Sequence, residues 1–275
     1  MMRLKQSVRI RRQGNHFILF DLDTELLHET NEIGYEIIKL LDGKKKKEDI
    51  QQFLISKFPE VEPEKIKMDV EEFLKKLELK GLVEIIPEKV FEKIWLFRSE
   101  VGSFTYYIDD EKKLLVDAGV LVKKKVDLIV VTHCHFDHIL FLNELKKINR
   151  CQVICGRREK EAIEKLNEKV LLDKSPKALL PTKVDRVVKE GDFINTGTFN
   201  FKVLETPGHT NGSISLFEEK AKILFSGDAW FGENYQGRWV YPSGSKIESG
   251  RTLERLKKLN PKILCPGHWN VVFRE

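Results

Sequence analysis

The feature that most constrains this chain is the heptapeptide THCHFDH at residues 132–138. It places three histidines and an aspartate within six positions of a 275-residue sequence that has only seven histidines. The apolar run VDLIVV stops just before it, which is typical of a strand covered on both faces. His133 and His135 are two residues apart, so in an extended segment their side chains point the same way. Imidazoles on one side with a carboxylate close by favour a divalent transition metal, so we predict a metal site here.

Three further candidate ligands each follow an apolar strand. His209 lies in ETPGHTNGS, Asp228 in ILFSGDAW and His268 in ILCPGHW. Because open α/β sheets place their sites at the carboxyl ends of strands, we expect these side chains to meet the 132–138 cluster. The other two histidines, His16 and His28, are expected to be ordinary strand residues.

From residue 93 onward, short strand patterns alternate with helix patterns. The strand candidates include KIWLFRS, SFTYYID, KKLLVDAG, QVICG, VDRVVKEG, NFKVLETPG, SISLFEE, AKILFSGD and a last strand KILCPGH. Helices are predicted over about 138–148 and in RTLERLKKL. This alternation predicts an α/β fold with helices outside and sheets inside.

The spaced motifs of this region resemble those of the metallo-β-lactamase superfamily. They are HxHxDH at 133–138, TPGH at 206–209, SGD at 226–228 and PGH at 266–268. The resemblance implies an αββα sandwich with the site at one edge of its sheets. It also implies a ligand set: His133, His135 and His209 for a first metal ion, Asp137, His138 and His268 for a second, and Asp228 bridging both.

That ligand set implies a hydrolase with two divalent metal ions. Two cations about 3.5–4 Å apart share a water and lower its pKa toward neutrality, and the resulting bridging hydroxide attacks a carbonyl or phosphoryl centre. The scissile bond would belong to an ester, thioester, lactone, peptide or phosphodiester. Asp137 is the candidate catalytic residue, because it would both bind metal and shuttle the proton of the water. Zinc is the default metal, and iron or manganese accept the same nitrogen and oxygen ligands.

Two other functions stay open. THCHFDH is also similar to the motif of persulfide dioxygenases, which use a single iron, and a non-catalytic peptide-binding scaffold could keep the same fold.

Within the superfamily, cysteine-ligated β-lactamases carry Cys where Asp228 stands, which argues against β-lactam cleavage. Flavodiiron proteins carry Glu where His135 stands. Glyoxalase II enzymes add a helical C-terminal domain, whereas this sequence ends seven residues after His268.

The first third of the chain has a pattern of its own. SVRIRRQ, HFILFDL and TELLHET alternate as strands, Asn31 is placed to cap a helix ending at Asp42-Gly43, and helices over about 47–57 and 63–80 precede the strand LVEII. Pro87 marks a boundary, which predicts domains at 1–88 and 89–275. This domain resembles the PqqD family, which has a winged-helix-like fold. The resemblance is carried by the segments NEIGYEIIKLLDG, EDIQQFL and DVEEFLKKLELKGLVEI. That family binds leader segments of ribosomally made peptides.

The PqqD resemblance implies a partner for the first domain. An extended leader peptide would pair with the edge formed by TELLHET and lie against the third helix. The enzyme would then act on a small molecule or peptide, in the modification of a ribosomally made peptide or a cofactor precursor. The alternative is a module that only braces the enzyme or forms a homodimer.

Segment 229–248 joins two ligand strands, and Tyr235, Arg238 and Tyr241 are candidates to donate hydrogen bonds to the substrate.

Composition excludes several classes of protein. No run of 18 apolar residues is present, so no membrane span is expected, and the basic N-terminus is not followed by the apolar run of a secretory signal. The four cysteines form no CxxC pair, which predicts buried free thiols and a cytoplasmic protein. The net charge of +5 comes without a stripe of basic and aromatic residues, so nucleic-acid binding is not expected.

Overall fold

The computed structural model describes residues 1–239 and 242–274. The chain divides into two units, Met1–Pro87 and Glu88–Glu275, and each has its own hydrophobic core. Tyr241, one of the predicted substrate-binding residues, lies outside the described residues.

The first unit combines short strands with three helices. Its elements are β1 Met2–Leu4, β2 Val8–Gln13, β3 His16–Asp21, β4 Leu26–Thr30, α1 Glu32–Lys39, α2 Lys47–Lys57, α3 Pro63–Leu79 and β5 Val83–Ile85. Strands β2, β3 and β4 form an antiparallel sheet in that order, and β1 pairs with β5. The predicted strands and helices are present. β1 is an addition, because three residues are too few to show periodicity.

Helix α1 begins as its sequence predicts. The side chain of Asn31 accepts a hydrogen bond from the backbone N–H of Gly34 at 2.9 Å, which satisfies one of the free donors at the helix start. Gly34 itself allows close packing, since a Cβ there would lie 1.9 Å from Thr30 Oγ1. Behind it, the apolar faces of the three helices close over the strands in one core. That core includes Leu19, Ile37, Leu54, Val70, Leu74 and Leu77.

The second unit is built from two packed sheets. Its strands are β6 Glu88–Phe91, β7 Ile94–Phe97, β8 Thr105–Asp109, β9 Lys113–Val116, β10 Leu128–Val131, β11 Gln152–Gly156, β12 Arg186–Val188, β13 Phe193–Asn195, β14 Asn200–Glu205, β15 Ile214–Glu218, β16 Ile223–Gly227, β17 Ile263–Pro266 and β18 Val272–Phe273. Its helices are α4 Leu142–Asn149, α5 Lys160–Lys165 and α6 Lys246–Lys258.

The order of these strands confirms the predicted αββα sandwich. One sheet runs β12-β11-β10-β9-β8-β7-β6 and the other β13-β14-β15-β16-β17-β18. Side chains of both sheets meet in one core, for example Ile108 and Val130 from the first sheet and Phe201 and Phe225 from the second. The ring centroids of Tyr106 and Phe225 lie 5.1 Å apart, which joins the two sheets directly.

Two predicted boundaries in this unit were wrong. A helix was expected over about 138–148, but the chain forms a short 3₁₀ turn at Phe136–His138 and α4 begins only at Leu142. The turn keeps His138 facing the site instead of the helix surface. KILCPGH was expected to be the last strand, yet the chain adds β18, which pairs antiparallel with β17.

The four cysteines are free and buried, as predicted. Burial raises the pKa of the Cys265 thiol above its ordinary value, so it stays protonated at neutral pH. Across residues 1–239 and 242–274, no helix combines the length and the apolar character needed to cross a bilayer.

A buried carboxylate ties together the turns of the two sheets. Asp110, between β8 and β9, accepts hydrogen bonds from Thr196 Oγ1 at 2.9 Å and from Thr198 N at 2.6 Å, both on the β13–β14 turn. Lys93 Nζ lies 2.8 Å away. Burial alone would raise the pKa of Asp110, but these donors outweigh it and hold the pKa below its ordinary value.

We expect Asp110→Asn to lower the free energy of unfolding by about 2–4 kcal/mol, because an amide cannot accept all of these hydrogen bonds. The exposed neighbouring change Asp109→Asn is the matched control. Denaturant titration at pH 7 measures both. Because the folded pKa is depressed, the stabilisation is present above about pH 4 and is lost as the pH falls further. Equal stabilities of the two variants at pH 7 would contradict this role for Asp110.

Candidate metal centre

Loops at the carboxyl ends of four strands bring the seven predicted side chains together. The residues of the 133–138 segment follow β10, His209 follows β14, Asp228 follows β16 and His268 follows β17. The strands belong to both sheets, so the site lies where the two sheets meet at one edge. The positions expected from the sequence therefore converge in the fold.

Three imidazoles form the first group. His133 Nε2 lies 3.1 Å from His135 Nδ1, and His209 Nε2 lies 2.8 Å from the same His135 atom. Nitrogens held tetrahedrally at a zinc–nitrogen distance of about 2.0–2.1 Å would be separated by about 3.3 Å. The observed separations are close to that value, so this group could hold a metal ion.

A second group contains Asp137, His138 and His268. Asp137 Oδ2 lies 3.0 Å from His268 Nε2 and 3.8 Å from His138 Nε2. The 3₁₀ turn produces this arrangement, because the hydrogen bond from His138 N to His135 O at 3.0 Å brings the side chain of His138 back beneath the cluster.

Asp228 lies between the two groups. Its Oδ2 is 3.5 Å from His209 Nε2 and 3.7 Å from His268 Nε2, and its Oδ1 is 3.3 Å from His138 Nε2. One carboxylate thus faces ligands of both groups, which is the position required of a bridging residue. Gly267 permits this approach, since a Cβ there would lie 2.4 Å from Asp228 Oδ1.

The electrostatics differ between the two groups. Burial, together with the neighbouring histidines, lowers the pKa of His133 well below its ordinary value and that of His135 to about 3, so both rings are neutral with lone pairs free to bind metal. Burial would also lower the pKa of His138, but Asp117, Asp137 and Asp228 outweigh it and raise that pKa. Their negative charge attracts positive charge, which a proton or a divalent cation can supply.

Two buried polar atoms indicate whether a metal ion fits between these side chains. Among the described residues, His138 Nε2 and Asp228 Oδ1 are buried and, although they lie 3.3 Å apart, make no hydrogen bond of acceptable geometry, whereas buried polar atoms normally have a partner. Both atoms face the interior of the cluster. Five imidazoles and two carboxylates also match the nitrogen and oxygen ligands that zinc, iron and manganese accept, so the residues fit a metal centre.

Asp117 is a functional residue that the sequence analysis missed. It lies after β9 in the stretch VDAG, and its Oδ2 accepts from His138 Nδ1 at 2.8 Å and from Thr132 Oγ1 at 2.9 Å. Thr132 Oγ1 in turn lies 3.1 Å from His133 Nδ1. Asp117 therefore orients a ring in each group, as carboxylates behind metal-bound histidines commonly do. An aspartate directly after an apolar strand was the available signal.

Glu159 is a second missed residue, and it joins two ligand loops. Its buried carboxylate accepts from the backbone N–H of Cys134 at 2.9 Å, between His133 and His135, and from Thr210 Oγ1 at 3.0 Å, directly after His209. No local pattern in the sequence distinguishes Glu159, which lies directly before α5, from the charged residues around it. Only the fold shows that it fixes the two loops relative to each other.

Two candidate residues of segment 229–248, the predicted wall of the site, have defined contacts. Arg238 contacts the cluster through its backbone, since its carbonyl oxygen lies 2.5 Å from His209 Nδ1 and so orients that ring. The ring of Tyr235 packs 4.9 Å from that of Trp269. The side-chain hydrogen bonds to substrate proposed for these residues stay predictions.

Family models match both parts of the chain. Residues 98–268 match the model described as the metallo-beta-lactamase superfamily, and residues 16–83 match coenzyme PQQ synthesis protein D. Among curated proteins, the chain is 31% identical over 179 residues to an uncharacterized protein of Aquifex aeolicus, covering 59% of this chain and 82% of that protein.

Two further relatives have functional names. A hydroxyacylglutathione hydrolase of Bdellovibrio bacteriovorus is 36% identical over 154 residues, which cover 54% of this chain and about half (53%) of the relative's length. A probable metallo-hydrolase of Methanocaldococcus jannaschii is 28% identical over 194 residues, covering 62% of this chain and 89% of the relative.

Solved structures share the fold. A di-iron-bound form of the protein TTHA1623 has a TM-score of 0.54 at 23% identity, covering 69% of this chain and 94% of its own. ETHE1 from Myxococcus xanthus has a TM-score of 0.50 at 23% identity, covering 69% and 80%.

We expect Glu159→Gln to weaken zinc binding about 10-fold, because the loops that carry His133, His135 and His209 lose a common anchor. Competition with a chromophoric chelator measures the affinity, and circular dichroism checks the fold. Glu161→Gln, at an exposed acid in the first turn of the adjoining helix α5, should bind zinc like the native chain. Equal zinc affinity in both variants would remove Glu159 from the organisation of the site.

Proposed function

The chain belongs to the metallo-beta-lactamase superfamily, and we propose that it is a dinuclear metal-dependent hydrolase. The substrate bond is an ester, thioester, lactone, peptide or phosphodiester bond. In each case water adds across the bond, and the acid and the leaving alcohol, thiol or amine separate. The observation that carries the proposal is the convergence of His133, His135, Asp137, His138, His209, Asp228 and His268 at one edge of the sandwich.

The ligand roles follow from the two groups. His133, His135 and His209 would hold the first ion, Asp137, His138 and His268 would hold the second, and Asp228 would face both. When bound, two divalent ions would supply Lewis acidity and activate a water. Zinc is the default choice, with iron and manganese as alternatives.

Asp137 is the proposed proton carrier. Its carboxylate is one of the two least buried ligands, with 18% of the side chain exposed, and it lies 3.0 Å from His268 Nε2. Burial would raise its pKa, but His138 and His268 outweigh burial and lower it, so the group is ionised at neutral pH and can accept a proton. It is thus placed to take a proton from water and return it to the leaving group.

We expect the purified chain, after metal loading, to bind about two equivalents of zinc and to hydrolyse members of an ester, thioester and phosphodiester panel. His268→Ala should retain one equivalent, because the first group is intact. Asp137→Asn should lower kcat by about 100-fold or more. Elemental analysis and steady-state kinetics measure these results, with Asp109→Asn as the unaffected control.

The same experiment separates the alternatives. One iron per chain together with oxidation of a persulfide would instead favour the dioxygenase function suggested by THCHFDH. Two metals without turnover of any substrate, together with peptide binding, would favour a scaffold.

We further propose that the first unit binds an extended peptide along β4. This strand is a free edge of its sheet, and its Leu26 and Leu27 are exposed. The opposite edge, β2, carries Arg9, Arg11 and Arg12, which discourage strand pairing. An edge that begins with two exposed leucines, opposite an edge rich in arginine, favours strand addition at β4.

A cavity of about 330 Å³ lies beside this edge. His28, Glu29 and Thr30 line it from β4, and Phe73, Lys76, Leu77 and Lys80 line it from α3. The peptide would thus add its backbone to β4 and place alternate side chains against α3. We propose a leader segment of a ribosomally made peptide or cofactor precursor as the partner, which would bring a tethered substrate to the enzyme.

We expect peptides selected from a displayed random library on the full chain to bind at least 10-fold more weakly to Leu27→Glu. The new charge would lie on the edge that accepts the added strand. Met68→Glu, a change at a similarly exposed apolar residue on α3 outside the cavity lining, is the control. Isothermal titration measures both affinities. Binding that tolerates Leu27→Glu as well as Met68→Glu would place the peptide elsewhere.

A further inference from the structure

Among the described residues, the candidate metal centre is open to solvent at two of its seven side chains. His133, His135, His138, His209 and Asp228 are buried. The side chain of His268 is 33% exposed and that of Asp137 is 18% exposed. We therefore expect a substrate to approach through this open side, where His268 and Asp137 lie.

Aromatic rings border this open side. The centroid of Phe231 lies 6.1 Å from that of His268, the ring of Trp269 lies 5.5 Å from Phe231, and the ring of Tyr235 lies 4.9 Å from Trp269. Trp269 and Tyr235 are each 54% exposed. We call Phe231, Tyr235 and Trp269 the aromatic platform. It is continuous with a metal ligand and leads from that ligand to the surface.

The platform is held rigidly. The backbone N–H of Phe231 donates to Tyr235 O at 2.8 Å and that of Tyr235 donates to Gly232 O at 2.9 Å, which closes a tight turn. Buried Trp230 anchors the turn through a hydrogen bond from its Nε1 to Glu233 O at 3.0 Å. Rings fixed before binding lose little conformational entropy when they contact a ligand.

The backbone conformation of Trp269 also indicates that the surrounding structure holds the platform in place. Its φ of 70° lies in the left-handed region that residues other than glycine seldom adopt. Its carbonyl accepts a hydrogen bond from Arg98 Nη1 at 2.9 Å. Such backbone conformations persist where surrounding structure enforces them, and they concentrate at ligand sites. In this conformation the indole packs against the ring of Phe231, which itself lies next to that of His268.

We propose that the aromatic platform binds a flat, uncharged aryl group of the substrate next to His268. This inference rests on the proposed hydrolase function and adds the substrate class. The guanidinium of Arg98, which donates to the Trp269 carbonyl, is already paired, since its Nε lies 3.1 Å from Glu88 Oε1, and this disfavours binding of an anionic group by Arg98. Inclined aromatic rings favour another ring in offset or edge contact over an aliphatic chain.

Binding of two matched carboxylates tests the platform without turnover. The probes are 3-phenylpropanoate and 3-cyclohexylpropanoate, which share the acid and nearly the size but differ in aromaticity. With the zinc-loaded full chain, titration calorimetry should show tighter binding of the phenyl compound. Trp269→Ala and Tyr235→Ala should each reduce that preference about 5- to 10-fold, and Trp269→Phe should keep it. Phe193→Ala, at an exposed aromatic residue of β13, should change nothing.

Kinetics separate this proposal from the hydrolase function. The N-acetylcysteamine thioesters of the same two acids should show the same ring preference in kcat/KM, which Trp269→Ala should remove. Ring-dependent binding without any turnover would overturn the hydrolase and leave the platform. Turnover with no ring preference, or with a preference that survives both alanine variants, would overturn the platform alone. A native dimer that Trp269→Ala converts to a monomer, with ligand preference unchanged, would also overturn it, because a second copy would then cover the rings.

Discussion

The second unit depends on how buried charge is balanced at one edge of its sandwich. Asp117, Asp137 and Asp228 place three carboxylates around His138, whose pKa they raise, whereas His133 and His135 are held neutral. Burying such a set costs free energy unless positive charge is shared among the carboxylates. The surrounding structure is arranged to hold the set together despite this cost. Asp117 and Glu159 fix the loops, and Gly267 lets the PGH loop approach Asp228.

The ligands could be predicted from sequence because each reports on its own short segment. A histidine or aspartate that directly follows an apolar strand can be recognised from that segment alone. The carboxyl ends of strands in a packed sheet lie close together, so such residues are expected to meet. Asp117 and Glu159 act across loops far apart in the chain, so their importance depends on contacts that no local pattern contains. The helix expected over about 138–148 failed for a related reason. The pattern favoured a helix, but tertiary contacts of His138 require a tighter turn first.

The first unit was readable for a different reason. Helix α1 begins at a residue with a clear capping role, Asn31, and the apolar faces of the three helices follow helical spacing. What the sequence did not reveal is the contrast between its sheet edges. Arginines protect β2, whereas leucines are exposed on β4, and this difference becomes visible only when strand order is known. The contrast identifies β4 as the edge at which the peptide-binding hypothesis is tested.

The origin of the ligands in both sheets has a consequence for the integrity of the fold. The sheet that contains β10 carries His133, His135 and His138. The sheet that contains β16 carries His209, Asp228 and His268. An ion shared by these side chains would act as a cross-link over the seam of the sandwich. A ligand that binds only the folded state stabilises that state by mass action. Removing such ions would therefore weaken the packing of the two sheets as well as abolish the proposed hydrolysis.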